Sequence, residues 1–375
     1  MRILLAVVLF LLLVAVVALA ILGWLYSNRI LVPQPYGLLP EFEVLDVAEG
    51  TVTLPAPPSD AQFADTRREG VYNLLWQGGY GRLGEVLEDD GKRVVRRLEV
   101  TEGNPPSSGD PARLDAFVLR RDPLQDHDIP FENLALNGVA GTLHAWWVDR
   151  RGGKAVLMLH GRRRADLTET LRIMPTLLEG GYAVLALAYR NHDQSAPSPD
   201  GFYHYGATEW EDVVTGLKFL TAQGVSEVVV YAYSYGGAVA LEALKHWPEG
   251  APELRGLVLD SPLLDPRTVF RRGARKLGAP LPGLLTDWAM MVASWRSGIR
   301  WQELDQRTFA PTIQQPVLLL GGTADSTIPI ELLDEFAQRL PQVVYHRLVG
   351  VEHTEGWNQD PEAYQGWVKE FLAGL

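Results

Sequence analysis

The chain has 375 residues, no cysteine, 34 basic and 46 acidic side chains, and a net charge of −12. That excess of acid excludes a general affinity for nucleic-acid phosphates and disfavours a face held flat on anionic lipid. The missing cysteines exclude disulfides without fixing a compartment, and 47% hydrophobic with 21% charged residues describes a folded body behind an apolar leader.

From Ile3 to Tyr26 no residue is charged. A helix of that length, at 1.5 Å per residue, is about 36 Å long and spans a bilayer core of ~30 Å. Ala18-Leu19-Ala20 offers a signal-peptidase site, so a secreted form is the alternative, but the apolar run continues to Trp24 and Tyr26, where interfacial aromatics are expected. The expectation is an uncleaved single-pass anchor over 3–26 and the only membrane attachment. Arg2 leads the run, and Arg29 is followed by Glu41, Glu43 and Asp46. That bias puts the N-terminus in the cytoplasm and the body outside it.

Residues 32–118 read as a separate β-rich module. Its strand-like runs are Glu43–Val47, Thr51–Leu54 and Arg93–Val100, and the stretch Gly103–Pro111 breaks it. A spacer between membrane and body is the plainer role for it, and a partial cover of a site the other.

The remaining 128–375 alternate strand and helix. A hairpin around Asn137-Gly138 leads to Thr142–Val148. Then come strand Ala155–Leu159, helix Leu167–Glu179, strand Tyr182–Tyr189, helix Glu209–Ala222, strand Glu227–Tyr233, helix Gly236–His246 and strand Gly256–Leu259. Such alternation gives a mostly parallel sheet covered by helices on both faces, an α/β fold. A helical insertion over 263–315 interrupts it, and the last helix shows an apolar stripe of Tyr364, Trp367, Val368, Phe371 and Leu372.

Three turns carry chemistry. Val228–Tyr233 runs into Ser234 and then Tyr235-Gly236-Gly237-Ala238, the form of a nucleophile elbow, where small residues permit a sharp strand-to-helix turn. Val317–Gly322 ends in a glycine turn that delivers Asp325, and a loop after Val343–Leu348 carries Gly350, Glu352 and His353. A neutral serine hydroxyl is a poor nucleophile, so an imidazole must take its proton and a carboxylate must orient that imidazole. Upstream, the strand ending at Leu159 leads to His160-Gly161-Arg162. The peptide N–H groups of Arg162 and Tyr235 are therefore candidates for an oxyanion hole.

On these residues the chain resembles the α/β-hydrolase superfamily of serine hydrolases, over 128–375, and looks most like bacterial membrane-tethered members related in outline to the Bem46-like group. The resemblance implies a triad of Ser234, Asp325 and His353, with a small helical cap. Some members hold the acid where Asp260 stands, but the Gly-Gly-Thr-x-Asp turn favours Asp325. The chain departs from the common pattern at Ala232, where Gly is usual, and at Arg190-Asn191-His192-Asp193, where relatives often read Arg-Gly-His-Gly.

For substrate binding, Arg162, Arg163 and Arg164 follow the oxyanion glycine and would suit an anionic group, against the plainer reading of a solvated loop. Trp288 and Met291 in the insertion would line an acyl pocket, against the plainer reading of the cap's own packing. The acids Glu209, Glu211 and Asp212 are expected to complement a helix N-terminus. No metal-ligand spacing or phosphate loop is present, so neither metal nor nucleotide cofactor is expected. The partner expected is a small acyl compound, with ester cleavage first and peptidase, thioesterase or acyltransferase chemistry as alternatives. The competing class is a non-catalytic tethered binding protein.

Overall fold

The computed structural model describes residues 2–33, 40–56, 65–162 and 166–375. Helix α1 (Arg2–Leu31) is, among the described residues, the one helix long and apolar enough to cross a membrane. Its far end is not a free tether. Ile30 and Leu31 are buried in the core of the body behind it, Tyr203 donates its N–H to the Leu31 carbonyl at 2.8 Å, and the Tyr205 hydroxyl donates to that of Ile30 at 2.5 Å.

Seven antiparallel strands form the N-terminal sheet, in the order β1 (Phe42–Glu43), β7 (Pro111–Asp115), β4 (Tyr72–Trp76), β5 (Gly79–Asp89), β6 (Arg93–Gly103), β3 (Thr51–Pro55) and β2 (Asp46–Ala48). Val52, Leu54, Leu74 and Leu83 pack on one face as its core. The long β5 was not legible in sequence, because glycines at 79, 81 and 84 dilute its strand character. They are needed there: a Cβ at Gly81 would lie 2.5 Å from the Glu99 carbonyl of the neighbouring strand. The sheet meets the second body near its C-terminus. Val71 donates to the Asn358 carbonyl and Asn358 Nδ2 donates back to that of Val71, both at 2.7 Å, while Tyr72 and Arg68 bond Glu355.

The second body is an eight-stranded sheet in the order β15-β14-β13-β12-β10-β11-β9-β8. Its strands are β8 (Glu132–Asn137), β9 (Thr142–Val148), β10 (Lys154–Leu159), β11 (Ala183–Leu187), β12 (Glu227–Tyr233), β13 (Glu253–Asp260), β14 (Val317–Gly322) and β15 (Val343–Leu348). β10 to β15 pair in parallel, and β9 and β8 complete the sheet antiparallel. Leu157, Val230 and Leu319 point to one core and Val156, Val229 and Leu318 to the other, so the central strands are apolar on both faces through their middle residues.

Helix α2 (Pro123–His127) leads into this sheet. It is covered by α3 (Met174–Glu179), α4 (Trp210–Ala222), α5 (Ser234–Lys245), α8 (Ile330–Arg339), α9 (Gly356–Gln359) and α10 (Pro361–Ala373). Two expectations change. The helix expected over 167–179 is a 3₁₀ segment Leu167–Arg172 followed by α3, because Pro175 has no N–H to continue the ladder and instead starts a new helix. The hairpin turns at Val139-Ala140 rather than at Asn137-Gly138: Asn137 still pairs with Thr142, and Gly138 and Gly141 exchange N–H···O bonds. The insertion forms a cap of α6 (Pro266–Lys276), α7 (Pro282–Ser297) and three short 3₁₀ turns.

Candidate active site

Ser234 sits at the end of β12 as the first residue of α5, with φ at 46°. A non-glycine residue held there is strained by about 1–3 kcal/mol and persists only when its surroundings enforce it. They do so through two glycines and a carbonyl. A Cβ at Gly236 would lie 2.5 Å from the His160 carbonyl, one at Gly237 would lie 2.6 Å from Pro262 Cβ, and the Ser234 carbonyl accepts the Leu263 N–H at 2.8 Å. Helix α5 is thereby pressed between the ends of β10 and β13, and the serine hydroxyl is lifted off the sheet.

The hydroxyl lies 2.8 Å from His353 Nε2, and His353 Nδ1 lies 2.7 Å from Asp325 Oδ2. With Nδ1–H donated to the carboxylate, Nε2 is left to accept the serine proton. Asp325 is itself fixed, its Oδ1 accepting the N–H groups of Thr327 and Ile328 at 2.7 Å each. Glu352 bridges the two loops, accepting from Ser326 N–H at 2.5 Å and His353 N–H at 3.0 Å. Burial opposes a charged imidazole, but the facing Asp325, with Glu352 and Asp260 nearby, outweighs it and pushes the His353 pKa up to about 9.

Asp260 lies elsewhere in the network. Its Oδ2 accepts the Tyr364 hydroxyl at 2.8 Å and its Oδ1 the Ser261 hydroxyl at 3.0 Å, and burial raises its pKa. Ser261 and Thr354, like Ser234, have positive φ, and the Thr354 N–H donates to Ser261 Oγ at 3.3 Å. Three strained residues, Ser234, Ser261 and Thr354, thus surround the relay.

β10 lies beside β12, with Leu159 opposite Ala232. The loop after it is held by residues that sequence reasoning missed. The Gly161 N–H donates to Glu169 Oε2 at 2.7 Å, and the Tyr189 hydroxyl bonds the carbonyls of His160 and Gly161 at 2.7 and 3.0 Å. Glu169 is buried against Arg172, whose Nη1 reaches the Thr354 carbonyl at 3.1 Å and Asn358 Oδ1 at 2.9 Å. One signal was available: Asp166-x-x-Glu169 has the spacing of a helix-start box. Asp166 does cap its 3₁₀ segment, but Glu169 turns to Gly161 instead of back to the cap. Tyr235 is the second residue of α5, where an N–H has no partner within the helix, while its hydroxyl donates to Glu209 Oε1 at 2.7 Å.

The substrate-binding expectations fare differently. The Arg162 guanidinium turns inward to the Tyr205 hydroxyl and lies over the Tyr203 and Tyr205 rings, not at a pocket mouth. Arg163 and Arg164 lie outside the described residues. The indole of Trp288 donates to the Leu19 carbonyl of α1 at 2.8 Å and Met291 is 55% exposed, so neither is arranged as the wall of an acyl pocket. Of the acids expected at a helix N-terminus, Glu211 and Asp212 do lie in the first turn of α4, where both also pair with the buried Arg190, while Glu209 instead accepts the N–H groups of His204 and Gly206. In the loop that departs from the common pattern, Asn191 and Asp193 adopt φ of 68° and 47°, a left-handed conformation that glycine and asparagine or aspartate tolerate. Among the described residues no cluster of three His, Asp or Glu side chains could hold a metal ion.

Residues 156–370, which contain all of this apparatus, match the family model described as the alpha/beta hydrolase family. The chain belongs to that family. It is a hydrolase of this fold, and its N-terminal sheet, over residues 43–115, matches a domain of unknown function. Among curated proteins this alpha/beta hydrolase is 26% identical over 185 residues to the Homo sapiens protein ABHD12B, covering 48% of this chain and 48% of that one. It is 25% identical over 232 residues to the uncharacterized protein YqkD of Bacillus subtilis, covering 59% and 71%. The chain thus spans about half the length of the human relative. Among solved structures it superposes on the Pyrococcus furiosus esterase Pf2001 with a TM-score of 0.55 at 24% identity, covering 68% of this chain and 95% of that one, a likeness of fold.

Proposed function

We propose that the chain is a serine hydrolase that cleaves carboxylic esters or related acyl compounds through an acyl-enzyme. The observation that carries this reading is the relay from Ser234 Oγ to His353 Nε2 at 2.8 Å and from His353 Nδ1 to Asp325 Oδ2 at 2.7 Å, built on a serine whose backbone is strained. Ser234 Oγ attacks the carbonyl carbon while His353 takes its proton, and the carbonyl oxygen becomes an oxyanion. The peptide N–H groups of Tyr235 and Arg162 are the donors proposed for it, each worth about 3–4 kcal/mol in the transition state. His353 then protonates the leaving alcohol, and a water, deprotonated by the same imidazole, releases the acid and restores the serine.

The same reading places α1 as an uncleaved anchor, with the body on the extracytoplasmic side. Its support is that Trp288 of the cap bonds Leu19, and Arg296 donates to Ser27 Oγ at 2.6 Å and Asn28 Oδ1 at 2.8 Å. Cleavage after Ala20 would remove the first of these partners.

The test is labelling of the full chain with a fluorophosphonate probe, beside turnover of a p-nitrophenyl ester series from acetate to palmitate. The expected result is labelling and turnover that both vanish in Ser234→Ala. Folded protein that neither labels nor turns over any ester would overturn the reading and leave a tethered binding protein.

A further inference from the structure

Helix α7 of the cap lies along the C-terminal half of α1 with its residue numbers rising in the same direction. Trp288 meets Leu19 and Gly23, Val292 meets Gly23, and Arg296 meets Ser27 and Asn28, its guanidinium 3.9 Å from the centre of the Trp24 ring. A Cβ at Gly23 would lie 2.3 Å from the Trp288 indole nitrogen, so the two helices touch closely at that point. The start of α7 therefore points back toward the N-terminal, wholly apolar part of α1.

Beside that contact, on the side turned away from the buried Ala289, Met290 and Ala293, α7 is uncovered. Leu284, Met291 and Trp295, one face at helical spacing, are 69%, 55% and 81% exposed, and Leu277 and Leu281 in the turn between α6 and α7 are exposed too. Bordering it on α7 is the charge of Asp287, one turn from both Leu284 and Met291. The only acid of α7, Asp287, is turned to α6, where it pairs with Arg271 at 2.6 Å, and its only base is the Arg296 already spent on α1. Beside the exposed leucines stand Arg275 and Lys276 at the end of α6.

We infer that the α6–α7 turn and the outer face of α7 dip into the bilayer leaflet beside α1, giving the protein a second membrane contact. The occupant is argued from continuity: Trp288 and Arg296, which flank Met291 and Trp295 on α7, sit on α1 at Leu19, Gly23 and Trp24, where the exposed apolar surface of α1 ends at Trp24 and Leu25. An apolar face edged by Trp and by cations, its one bordering acid already paired, is the composition of an interfacial segment on anionic lipid. The net charge of −12 suggested that α1 would be the only attachment, but that sum does not describe this patch. The contact also lies close to the chemistry, because Arg272 and Lys276 of the same cap bond the carbonyls of Asp325 and Ser326.

The inference rests on α1 being a membrane anchor, and the experiment separates the two. The chain has no cysteine, so a single cysteine can be labelled uniquely with an environment-sensitive nitrobenzoxadiazole dye. Leu284→Cys and Trp295→Cys report the cap, Leu12→Cys the anchor, and Val139→Cys, exposed in the turn between β8 and β9, the body. The full chain is placed in phosphatidylethanolamine–phosphatidylglycerol vesicles with and without nitroxide-bearing acyl chains. Nitroxide lipid is expected to remove more than half of the emission at Leu12, Leu284 and Trp295 and to leave Val139 unchanged. Quenching at Leu12 but not at Leu284 and Trp295 overturns the cap contact and leaves the anchor standing. No quenching at Leu12 overturns the anchor, and the inference with it. A blue-shifted but unquenched cap label means that protein, such as a second copy, covers the face, and also overturns the inference.

Discussion

Arg272 Nη2 donates to the backbone carbonyl of Asp325 at 2.8 Å, so the first cap helix is latched to the loop that carries the acid of the relay. Lys276, one turn further along, bonds the carbonyl of Ser326 at 2.5 Å. Arg272→Ala combined with Lys276→Ala is expected to lower kcat by about 10-fold, since loosening an orienting carboxylate misplaces the base. Neither residue lies in the cores, so the thermal midpoint should move little. Steady-state kinetics beside a melting curve would check this, and a large fall in midpoint with unchanged kcat would contradict it.

The two candidate acids should separate cleanly. Asp325 faces His353, whereas Asp260 is bonded to Tyr364 and Ser261. Asp325→Asn is expected to cost about 10⁴ in kcat, as loss of the tautomer-fixing carboxylate does in serine triads. Asp260→Asn should instead act mainly through stability. Ester turnover by the two purified variants decides it, and the opposite ranking would reassign the acid.

The His353 pKa of about 9 has a pH consequence for the free enzyme. Only the neutral imidazole can take the serine proton, so kcat/KM is expected to rise through neutral pH and level off above about 9. Asp325→Asn removes the charge that raises this pKa and should move the rise to lower pH. Stability runs the other way. The folded pKa lies above the ordinary 6.5, so His353 stabilises the fold fully below about 6.5, and that contribution is lost as pH rises through about 9. A pH–rate profile, with melting curves of the wild type and His353→Gln between pH 6 and pH 10, would measure both.

Glu169 holds the loop after β10 and neutralises a buried arginine at once. Glu169→Ala leaves Arg172 buried without that partner and is expected to cost about 3–5 kcal/mol of stability. Glu169→Gln can keep one acceptor for the Gly161 N–H and should cost less while still lowering kcat. Denaturant unfolding of both variants gives the comparison, and equal losses would argue that the charge, not the hydrogen bond, matters.

The sheet and its three chemical turns were legible because each obeys local rules. β12 is a run of β-branched residues that breaks into glycines at the elbow, and β14 ends in the glycines that allow the loop to Asp325. Asn191 and Asp193 looked like departures and are the two non-glycine residue types best suited to the handedness their loop needs. Glu169 was missed because its partner is a peptide N–H eight residues back, a contact with no side-chain signature. Trp288 and Met291 were read as an acyl-pocket wall or as the cap's own packing because aromatics and Met suit both, and the sequence alone does not say that α1 stands beside Trp288.

One consequence follows from where α1 ends. Ile30 and Leu31 are packed among the side chains of the hydrolase core, and the carbonyls of both are bonded by its tyrosines. The body therefore has no swivel. If α1 is the anchor proposed, the height of the body above the bilayer and the compass direction in which Ser234 faces are set by the rotation of one helix about its own axis. Inserting or deleting a single residue between Tyr26 and Ile30 would set the grip on Ile30 and Leu31 about 100° out of step with the α7 contacts at Leu19 and Gly23, so one of the two would have to give.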